Sequence, residues 1–382
     1  MTRVAVAGGG IGGLAAAIAL DARGVDADVF EKASDIKNVE VGAGITLWPN
    51  AIKMLDRLGV GEEVRARGSH FDGSLEQRTS EGRLLAQWQL AEMGQKLGAP
   101  AMGIRRPVLH GILAAAAGEA VTPGAEVTGF EDSGSGVTVS VAGGRSESAD
   151  ALIGADGIGS VIRARLLGPS EPRYSGLAIW RGVTEFDDAA LPPGALLSYW
   201  GTGTRFVAFR VGPGEIVWEA TLATEAGGRD PASGAKPSLL GHFAGFCDPV
   251  KPLMEATDER AIIRDDVCDR PPSETWGRGR VTLLGDAAHA MTFAVGQGAA
   301  QAFEDAVALG DSLAETGDVE AGLRAYEGRR IKRAAQFQSM AWRLARMGVH
   351  RSPVKCGLRN TFIKRTSGIG RRLQERDLRV PA

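Results

Sequence analysis

The sequence contains few of the residues that build disulfide frameworks and metal centres. Its 382 residues include three cysteines, and no pair of them has the CxxC spacing typical of metal ligands. A small, odd number of thiols is typical of a reducing compartment. We therefore expect no metal, a cytoplasmic location and three free thiols, at Cys247, Cys268 and Cys356.

The chain also lacks a strong net charge and long apolar runs. Its formal net charge is −2, which argues against general electrostatic attraction to nucleic acid. No apolar run approaches the roughly 20 residues that span a bilayer, and the first residues enter a strand rather than a signal peptide. We therefore expect neither a nucleic-acid partner nor a membrane partner.

Charge is nevertheless unevenly distributed along the chain. Residues 323–382 contain 16 lysines and arginines but only three acidic residues, so they carry about +13 and the remaining chain about −15. Apolar residues recur in this part at helical spacing, at Met340, Leu344 and Met347. This pattern favours a basic helix pair that docks on the acidic body over a tail that binds a membrane or RNA.

The order of predicted elements indicates two interleaved parts. Residues 3–7 form an apolar strand, a helix of small residues follows, and a second strand ends at Glu31, which makes a βαβ unit. Residues 172–275 change to a strand pattern, and the chain then returns to an apolar strand and ends in helices. The clearest strands in the middle part lie at 195–200, 205–211 and 215–222.

A glycine motif joins the first predicted strand to the first helix. Gly8, Gly10 and Gly13 have the GxGxxG spacing, which permits a tight turn, close approach of a pyrophosphate and close packing of helix on strand. Glu31 follows at the end of the second strand, where a carboxylate can accept hydrogen bonds from an adenosine ribose. This combination indicates a dinucleotide but does not separate NAD from FAD.

Two later motifs favour a flavin. A buried strand ends at Asp156 in "ALIGADGIGSVIR", and a second strand ends at Asp286 in "LLGDAAHA". A Rossmann domain that binds only NAD needs neither carboxylate, whereas a flavin needs an acceptor for its ribityl hydroxyls and backbone donors for its ring oxygens. Asp286 and the glycine-rich loop 293–299 can supply both.

These three motifs, in this order and spacing, resemble the single-component FAD-dependent aromatic hydroxylases, the para-hydroxybenzoate hydroxylase-like family. The chain length and the segment "ITLWPN" are most similar to the compact branch of urate, salicylate and 3-hydroxybenzoate hydroxylases and zeaxanthin epoxidase. The resemblance covers residues 1–335. It implies an α/β fold with a Rossmann-like FAD-binding domain, an inserted mixed or antiparallel β-sheet substrate domain and C-terminal helices.

The resemblance also implies discontinuous domains. We expect an FAD-binding domain formed by 1–70, 101–171 and 276–335, and a substrate-binding domain formed by 71–100 and 172–275. A basic C-terminal helical segment, 336–382, follows.

The resemblance implies FAD as the cofactor. Asp286 is then expected to hold the ribityl chain and residues 295–299 the pyrimidine edge of the ring, with the following helix directed at the flavin to stabilise its reduced, anionic form. The full set of implied cofactor-binding residues is Gly8, Gly10, Gly12, Gly13, Glu31, Lys32, Thr46, Arg106, Val127, Asp156, Asp286, Val295, Gly296, Gln297, Gly298 and Ala299.

The implied activity is that of a monooxygenase. NADH or NADPH reduces FAD, O2 adds to give a flavin C4a-hydroperoxide, and one oxygen atom passes to an aromatic or heteroaromatic small molecule. Three alternatives remain open: a flavin-dependent oxidoreductase that does not activate O2, an epoxidase acting on a non-phenolic substrate, and a non-catalytic flavin-binding protein. The expected assembly is a monomer or homodimer.

Four residues are candidates for the substrate pocket. Arg205 aligns with an arginine that contacts substrate in urate hydroxylases, although a solvated arginine at a strand edge explains it equally well. The tyrosine of those enzymes is replaced by Val217, beside Trp218, and their acidic residue before the glycine loop is Ala294. These replacements argue for a less polar ring than urate.

The fourth candidate, Phe293, replaces the proline that is usual in the family. Its ring either reshapes the pocket above the flavin or only packs against neighbours, and the sequence favours neither alternative. His289 lies close to Asp286 but is typical of a structural residue in this motif. No catalytic residue is assigned from the sequence.

Overall fold

The computed structural model describes residues 2–36 and 42–380. The domains expected from the sequence also include residues 1, 37–41 and 381–382, which lie outside the described residues. The architecture is α/β. The strands are β1 (Arg3–Ala7), β2 (Asp26–Glu31), β3 (Gly44–Leu47), β4 (Ser69–His70), β5 (Ser74–Thr79), β6 (Leu84–Gln89), β7 (Met102–Arg105), β8 (Val121–Pro123), β9 (Val127–Asp132), β10 (Val137–Val141), β11 (Arg145–Ala149), β12 (Ala151–Gly154), β13 (Arg173–Glu185), β14 (Leu196–Trp200), β15 (Thr204–Arg210), β16 (Glu215–Ala223), β17 (Ile263–Asp269) and β18 (Val281–Leu283).

Helices connect these strands and form the C-terminal part. They are α1 (Ile11–Asp21), α2 (Pro49–Arg57), α3 (Gly61–Arg67), α4 (Leu90–Leu97), α5 (Arg106–Ala117), α6 (Val161–Leu167), α7 (Ala235–His242), α8 (Val250–Ala256), α9 (Asp286–His289), α10 (Gly298–Thr316), α11 (Val319–Gly348) and α12 (Pro353–Asp377). Short 3₁₀ turns lie at Gly118–Ala120, Glu259–Ala261 and Phe293–Val295.

The parallel sheet has the strand order β18-β12-β1-β2-β8. Its central strand, β1, pairs in parallel with both β2 and β12, and its valines Val4 and Val6 are fully buried. Apolar side chains on both faces are typical of a parallel sheet covered on both sides. In this protein α1 packs on the sheet as part of the main core, which also includes valines of β10. The expected Rossmann-like domain is confirmed.

The large sheet has seven strands in the order β17-β13-β16-β15-β14-β5-β6. Its strands pair antiparallel except β5 and β14, which are parallel. Two separate parts of the chain therefore build one sheet, because β5 and β6 lie at 74–89 and the other strands lie at 173–269. The strands expected at 195–200, 205–211 and 215–222 correspond to β14, β15 and β16, with each end displaced by at most one residue.

Helix α11 continues through residue 335, where the sequence analysis ended the FAD-binding domain. The helix runs for 30 residues from Val319 to Gly348, and Asp318 caps its first turn. Buried residues recur along it on both sides of position 335, including Arg330 and Phe337. The helix is therefore continuous across the expected boundary, and the division of the chain into these domains stays a prediction.

Candidate functional site

A cavity of about 1050 Å³ lies between the carboxyl ends of the parallel sheet and one face of the large sheet. Ligands of open parallel sheets bind outside the carboxyl ends of the strands, which makes this cavity the candidate site. On the parallel-sheet side it is lined by residues that follow β1, β12 and β18, namely Gly10, Ile11, Gly12, Ala155, Gly157, Leu284, Gly285 and Asp286. On the opposite side it is lined by Leu75, Gln77, Leu196, Ser198, Arg205, Val207, Phe209 and Glu219.

The structure brings most of the predicted cofactor residues to this cavity. Those that line it are Gly10, Gly12, Thr46, Arg106, Asp286, Val295, Gly296, Gln297, Gly298 and Ala299. The remaining six do not line it, and they are Gly8, Gly13, Glu31, Lys32, Val127 and Asp156.

The glycine motif has the geometry that its spacing predicts. Gly8 has φ of +105°, and a Cβ atom there would lie 2.5 Å from the carbonyl oxygen of Ala155. A Cβ atom at Gly13 would lie 1.9 Å from the carbonyl oxygen of Gly8. The turn and the first turn of α1 therefore require glycine at both positions, because any side chain would collide with backbone.

Glu31 holds the glycine loop in place through hydrogen bonds to its backbone. Its carboxylate accepts hydrogen bonds from the backbone N–H of Gly9, at 2.7 Å, and of Ala33, at 2.8 Å. His110 holds the other side of the loop through a 2.8 Å hydrogen bond between its Nε2 and the carbonyl oxygen of Gly9. Lys32 next to Glu31 is exposed. The acidic residue thus shapes the loop, and it retains capacity to accept further hydrogen bonds from a ribose.

Asp156 caps helix α6. Its carboxylate accepts hydrogen bonds from the hydroxyl of Ser160 and from the backbone N–H groups of Val161 and Ile162. Its two neighbours in sequence, Ala155 and Gly157, line the cavity instead. Asp156 therefore fixes the backbone that borders the cavity.

Val127, another predicted cofactor contact, is buried in β9 as part of the main core.

The loop before α10 forms one end of the cavity. Gly296 has φ of +60°, a conformation that favours glycine, and a Cβ atom there would lie 2.6 Å from Oγ1 of Thr46. α10 begins at Gly298, and no acidic residue lies in its first turn. Its free N–H groups and partial positive charge therefore border the cavity close to Asp286.

A buried polar network supports the N-terminus of α10. The Asn50 amide donates hydrogen bonds to Gln297, at 2.9 Å, and to Glu304, at 2.8 Å. Glu304 also accepts from Arg330, at 2.7 Å, and from Arg333. Burial acts to raise the pKa of Glu304, but these donors outweigh it and the pKa is lowered.

Asp305 and His289 belong to the same network. Nε2 of His289 lies 2.5 Å from one oxygen of Asp305, and Nε of Arg330 donates to the other oxygen at 2.7 Å. Burial acts to raise the pKa of Asp305, but the charges of His289 and Arg330 outweigh it and lower the pKa to about 2. His289 is buried among these partners, as expected of a structural residue. The sequence analysis missed Arg330, because its partners are distant in the chain.

The residues present fit FAD. The glycine turn allows a pyrophosphate to approach the N-terminus of α1, since a Cβ atom at Gly8 or Gly13 would meet backbone oxygen. Asp286 lines the cavity with a carboxylate that can accept hydrogen bonds from ribityl hydroxyls, and Arg106 lines it with a cation. The N–H groups at the start of α10 can serve the polar edge of a flavin ring.

The opposite wall carries three charged side chains, Arg181, Glu219 and Arg205, on the neighbouring strands β13, β16 and β15 of the large sheet. Arg205 of β15 lines the cavity, donates a 3.2 Å hydrogen bond to Ser198 and lies over the ring of Trp200. Burial lowers the pKa of Arg205 to about 10, so it stays cationic at neutral pH. Arg205 therefore lines the cavity from an inner strand of the large sheet rather than from a strand edge, and its contact with substrate stays a prediction.

Glu219 of β16 is a cavity residue that the sequence analysis missed. Burial raises its pKa, and the charges of Arg181 and Arg205 only partly oppose this shift. Arg181 also lines the cavity, and its guanidinium group pairs with Asp265. An isolated glutamate in a strand carries no motif, so only its position in the sheet reveals it.

Two other substrate candidates do not line the cavity. Trp218 is fully buried on the opposite face of the large sheet, where its ring stacks on Phe206 and its Nε1 donates to Thr257. Val217 lies on the same face as Glu219 but is fully buried beneath Gly44. For Trp218 this placement corrects the sequence interpretation, because side chains alternate along a strand.

Phe293 lines the cavity and also packs against α11, so its effect on the pocket stays a prediction. It lines the cavity at the loop before α10, and it packs against a small apolar cluster that includes Ala345 and Val349 of α11. Its ring therefore forms an apolar wall of the cavity and also holds the loop against the helix.

Residues 2–36 and 42–380 lack metal-binding clusters and membrane-spanning helices. These residues contain no group of three or more histidine, cysteine, aspartate or glutamate side chains that could hold a metal ion. They also include no helix that has both the length and the apolar character needed to cross a membrane.

Comparison with known proteins gives concordant matches. Residues 1–341 match the family described as "FAD binding domain". The chain is 37% identical over 367 residues to aurachin C monooxygenase/isomerase of Stigmatella aurantiaca, covering 95% of this chain and 94% of that protein. It is 36% identical over 330 residues to an FAD-dependent urate hydroxylase of Klebsiella pneumoniae, covering 86% and 85% of the two chains.

Similarity extends to a solved structure. The fold matches the crystal structure of Klebsiella pneumoniae HpxO complexed with FAD and uric acid, with a TM-score of 0.92 and 31% identity over 99% of this chain and 96% of that one. A fold this similar that holds FAD agrees with the fit of FAD to the cavity described above.

Proposed function

This chain belongs to the FAD binding domain family and is an FAD-dependent monooxygenase, and we propose that it uses NADH or NADPH and O2 to hydroxylate an aromatic or heteroaromatic small molecule. The observation that carries the proposal is the pair Arg205 and Glu219, which lie across the same cavity from the glycine turn and Asp286. A substrate bound between the two walls contacts Arg205 and Glu219 on one side and faces the expected flavin site on the other.

The chemistry of this wall supports a particular class of ring. Arg205 can donate hydrogen bonds to a carbonyl or phenolate oxygen, and Glu219 can exchange a proton with a ring hydroxyl or N–H group. The surrounding side chains Leu75, Val207 and Phe209 are apolar. We therefore infer a ring that carries at least one hydroxyl, carbonyl or N–H group on an otherwise apolar frame.

The cofactor and the residues of the cavity have separate roles in the proposed reaction. FAD, when bound, supplies the redox chemistry that activates O2. The N–H groups at the start of α10 favour negative charge at the ring edge that they face. Arg205 and Glu219 orient the substrate, and Glu219 exchanges a proton with it. Phe293 forms an apolar wall that excludes water from the cavity.

The test combines coenzyme oxidation with product analysis. The purified, FAD-loaded protein is mixed with NADH or NADPH and a panel of aromatic and heteroaromatic compounds, and hydrogen peroxide and product mass are measured. We expect a subset of compounds to accelerate flavin reduction and to gain one oxygen atom. Flavin reduction without any oxygenated product across the panel would instead support an oxidoreductase that does not hydroxylate.

A further inference from the structure

Helix α12 presents an apolar stripe to solvent. Five of its large apolar side chains are exposed by 45 to 73% of their surface, and intervals of four or seven residues place them on one side of the helix. We call this set the outer stripe: Val354, Leu358, Phe362, Ile369 and Leu373.

The opposite side of α12 fixes this orientation. Cys356, Arg359 and Ile363 are buried against the rest of the protein, and Ile363 belongs to a cluster with Leu85 of β6. The guanidinium group of Arg359 donates to the carbonyl oxygens of Gly201 and of Gly348, the latter at 2.8 Å. Rotating the helix to bury the outer stripe would leave these buried groups without partners.

Basic side chains accompany the outer stripe. Lys355, Arg365 and Arg372 are exposed and lie on the same half of the helix as the stripe. The two acidic residues of α12 are turned away, since Glu375 contacts Lys96 and Asp377 accepts a hydrogen bond from Gln336 of α11. The outward face of α12 is therefore both apolar and positively charged.

The outer stripe is continuous with the cavity. Phe362 and Leu373 belong to the stripe and also line the cavity, together with Gly370 of α12 and with Met340 and Leu344 of α11. An apolar surface thus leads from the outside of α12 into the site.

We propose that α12 docks on the surface of an anionic lipid membrane, with the outer stripe inserted at the headgroup boundary and Lys355, Arg365 and Arg372 facing lipid phosphates. A basic amphipathic helix with exposed large apolar residues binds such surfaces without crossing them. Docking in this orientation directs the cavity entrance toward the lipid. The docking stands independently of the function proposed above.

Charge distinguishes this occupant from a second copy of the chain. Two copies that joined through the outer stripe would bring the same basic residues into one interface, where like charges oppose association. An anionic surface instead neutralises them. This differs from the sequence analysis, which favoured docking of the basic helices on the acidic body, because only the structure shows that the apolar stripe faces outward.

The experiment measures co-sedimentation of the FAD-loaded protein with phospholipid vesicles. One set contains phosphatidylcholine alone and the other contains phosphatidylcholine mixed with phosphatidylglycerol, each at low and high salt. The test variant is Leu358→Glu/Ile369→Glu, which changes two stripe residues that do not line the cavity. The matched control is Leu84→Glu, because Leu84 is also apolar and 44% exposed but lies at the start of β6 and not on α12.

We expect wild type and Leu84→Glu to sediment with the anionic vesicles and to be released by high salt. The double variant should need at least about tenfold more lipid for the same binding, with unchanged FAD content and circular dichroism. The proposal fails if wild type stays in solution, if it binds neutral vesicles equally well, or if the double variant binds as wild type does. It also fails if light scattering shows a wild-type dimer that the double variant converts to a monomer.

Discussion

At the scale of single residues, Glu219 is the side chain whose chemistry is least ordinary. Burial raises its pKa while two arginines oppose the shift, so its carboxyl group remains protonated to a higher pH than that of a solvated glutamate. A carboxyl group poised in this way can donate to a substrate oxygen or accept a proton from a ring N–H group. Its position across the cavity from the expected flavin site makes it the first residue to test.

We expect Glu219→Gln to weaken substrate binding while leaving FAD content unchanged. The amide keeps the shape but cannot take up a proton, and the loss of one hydrogen bond to a charged group costs about 1–3 kcal/mol, roughly 5- to 150-fold in KM. The measurement is steady-state coenzyme oxidation on the best substrate found. Glu215→Gln is the control, since Glu215 lies on the same strand but pairs with Arg105, and an equal loss in both variants would contradict the role of Glu219.

Asp286 offers a second residue-scale prediction, on the flavin side. Asp286→Ala removes the carboxylate expected to accept ribityl hydrogen bonds, and we expect FAD affinity to fall by about 1–3 kcal/mol. Titration of the flavin-free protein with FAD measures this loss. Asp187→Ala is the control, because Asp187 is almost fully exposed; full retention of FAD affinity in Asp286→Ala would remove the proposed role.

At the scale of elements, the contact of α1 with the glycine turn that follows β1 depends on glycine. Gly13→Ala places a methyl group against the carbonyl oxygen of Gly8, and we expect it to destabilise the protein by about 1–3 kcal/mol and to lower FAD content. Gly111→Ala is the matched control, because Gly111 lies in α5 with open space around it. There alanine should stabilise the helix by about 0.5–1 kcal/mol. Urea unfolding of both variants gives the comparison, and equal effects would refute the steric argument.

The packing of α11 against α10 depends on buried ion pairs. Arg330 is nearly fully buried and pairs with Glu304 and Asp305, so Arg330→Met removes a buried cation that both of these buried carboxylates share. We expect a loss of about 3–5 kcal/mol in the free energy of unfolding. Its neighbour Arg329 pairs at the surface with Glu315, and Arg329→Met should cost about 0–1 kcal/mol. Similar losses in the two variants would show that burial is not decisive.

At the scale of the whole molecule, the buried network around Asp305 is expected to make both the stability of the fold and the binding of FAD depend on pH. The pKa of Asp305 is about 2 in the folded protein against an ordinary value of 3.8. A lowered carboxyl pKa contributes stability above the unfolded pKa, and this contribution is lost as the pH falls from about 4 to about 2. The shift corresponds to about 2 kcal/mol.

We therefore expect the free energy of unfolding to fall across this acid range, with release of FAD because the network supports the start of α10. Urea unfolding at a series of pH values and flavin fluorescence measure the two effects. Arg330→Met should flatten the acid dependence, since it removes one of the charges that lower the pKa of Asp305. An unchanged slope in that variant would contradict the assignment.

Local patterns explain what could be predicted. The glycine turn, the strand ends at Asp156 and Asp286 and the β-strands of the middle part each depend on neighbouring residues, because backbone conformation and side-chain alternation are local properties. The first βαβ unit and the place of Asp286 at a strand end followed from them, and the family resemblance implied the rest of the α/β fold. The family resemblance offered both Val217 and Trp218 as pocket candidates, and Trp218 does not line the cavity, since a strand pattern shows two faces without showing which of them meets the cavity.

By itself, then, the sequence determined the dinucleotide turn, the order of elements and the strand-end carboxylates at the site. Only the tertiary structure decided that Glu219 shares a cavity with Arg205, that Arg330 neutralises Asp305, and that the apolar stripe of α12 faces outward. These facts join residues far apart in the chain. Their distances depend on how the two sheets and the C-terminal helices pack, and no short stretch of sequence records that packing.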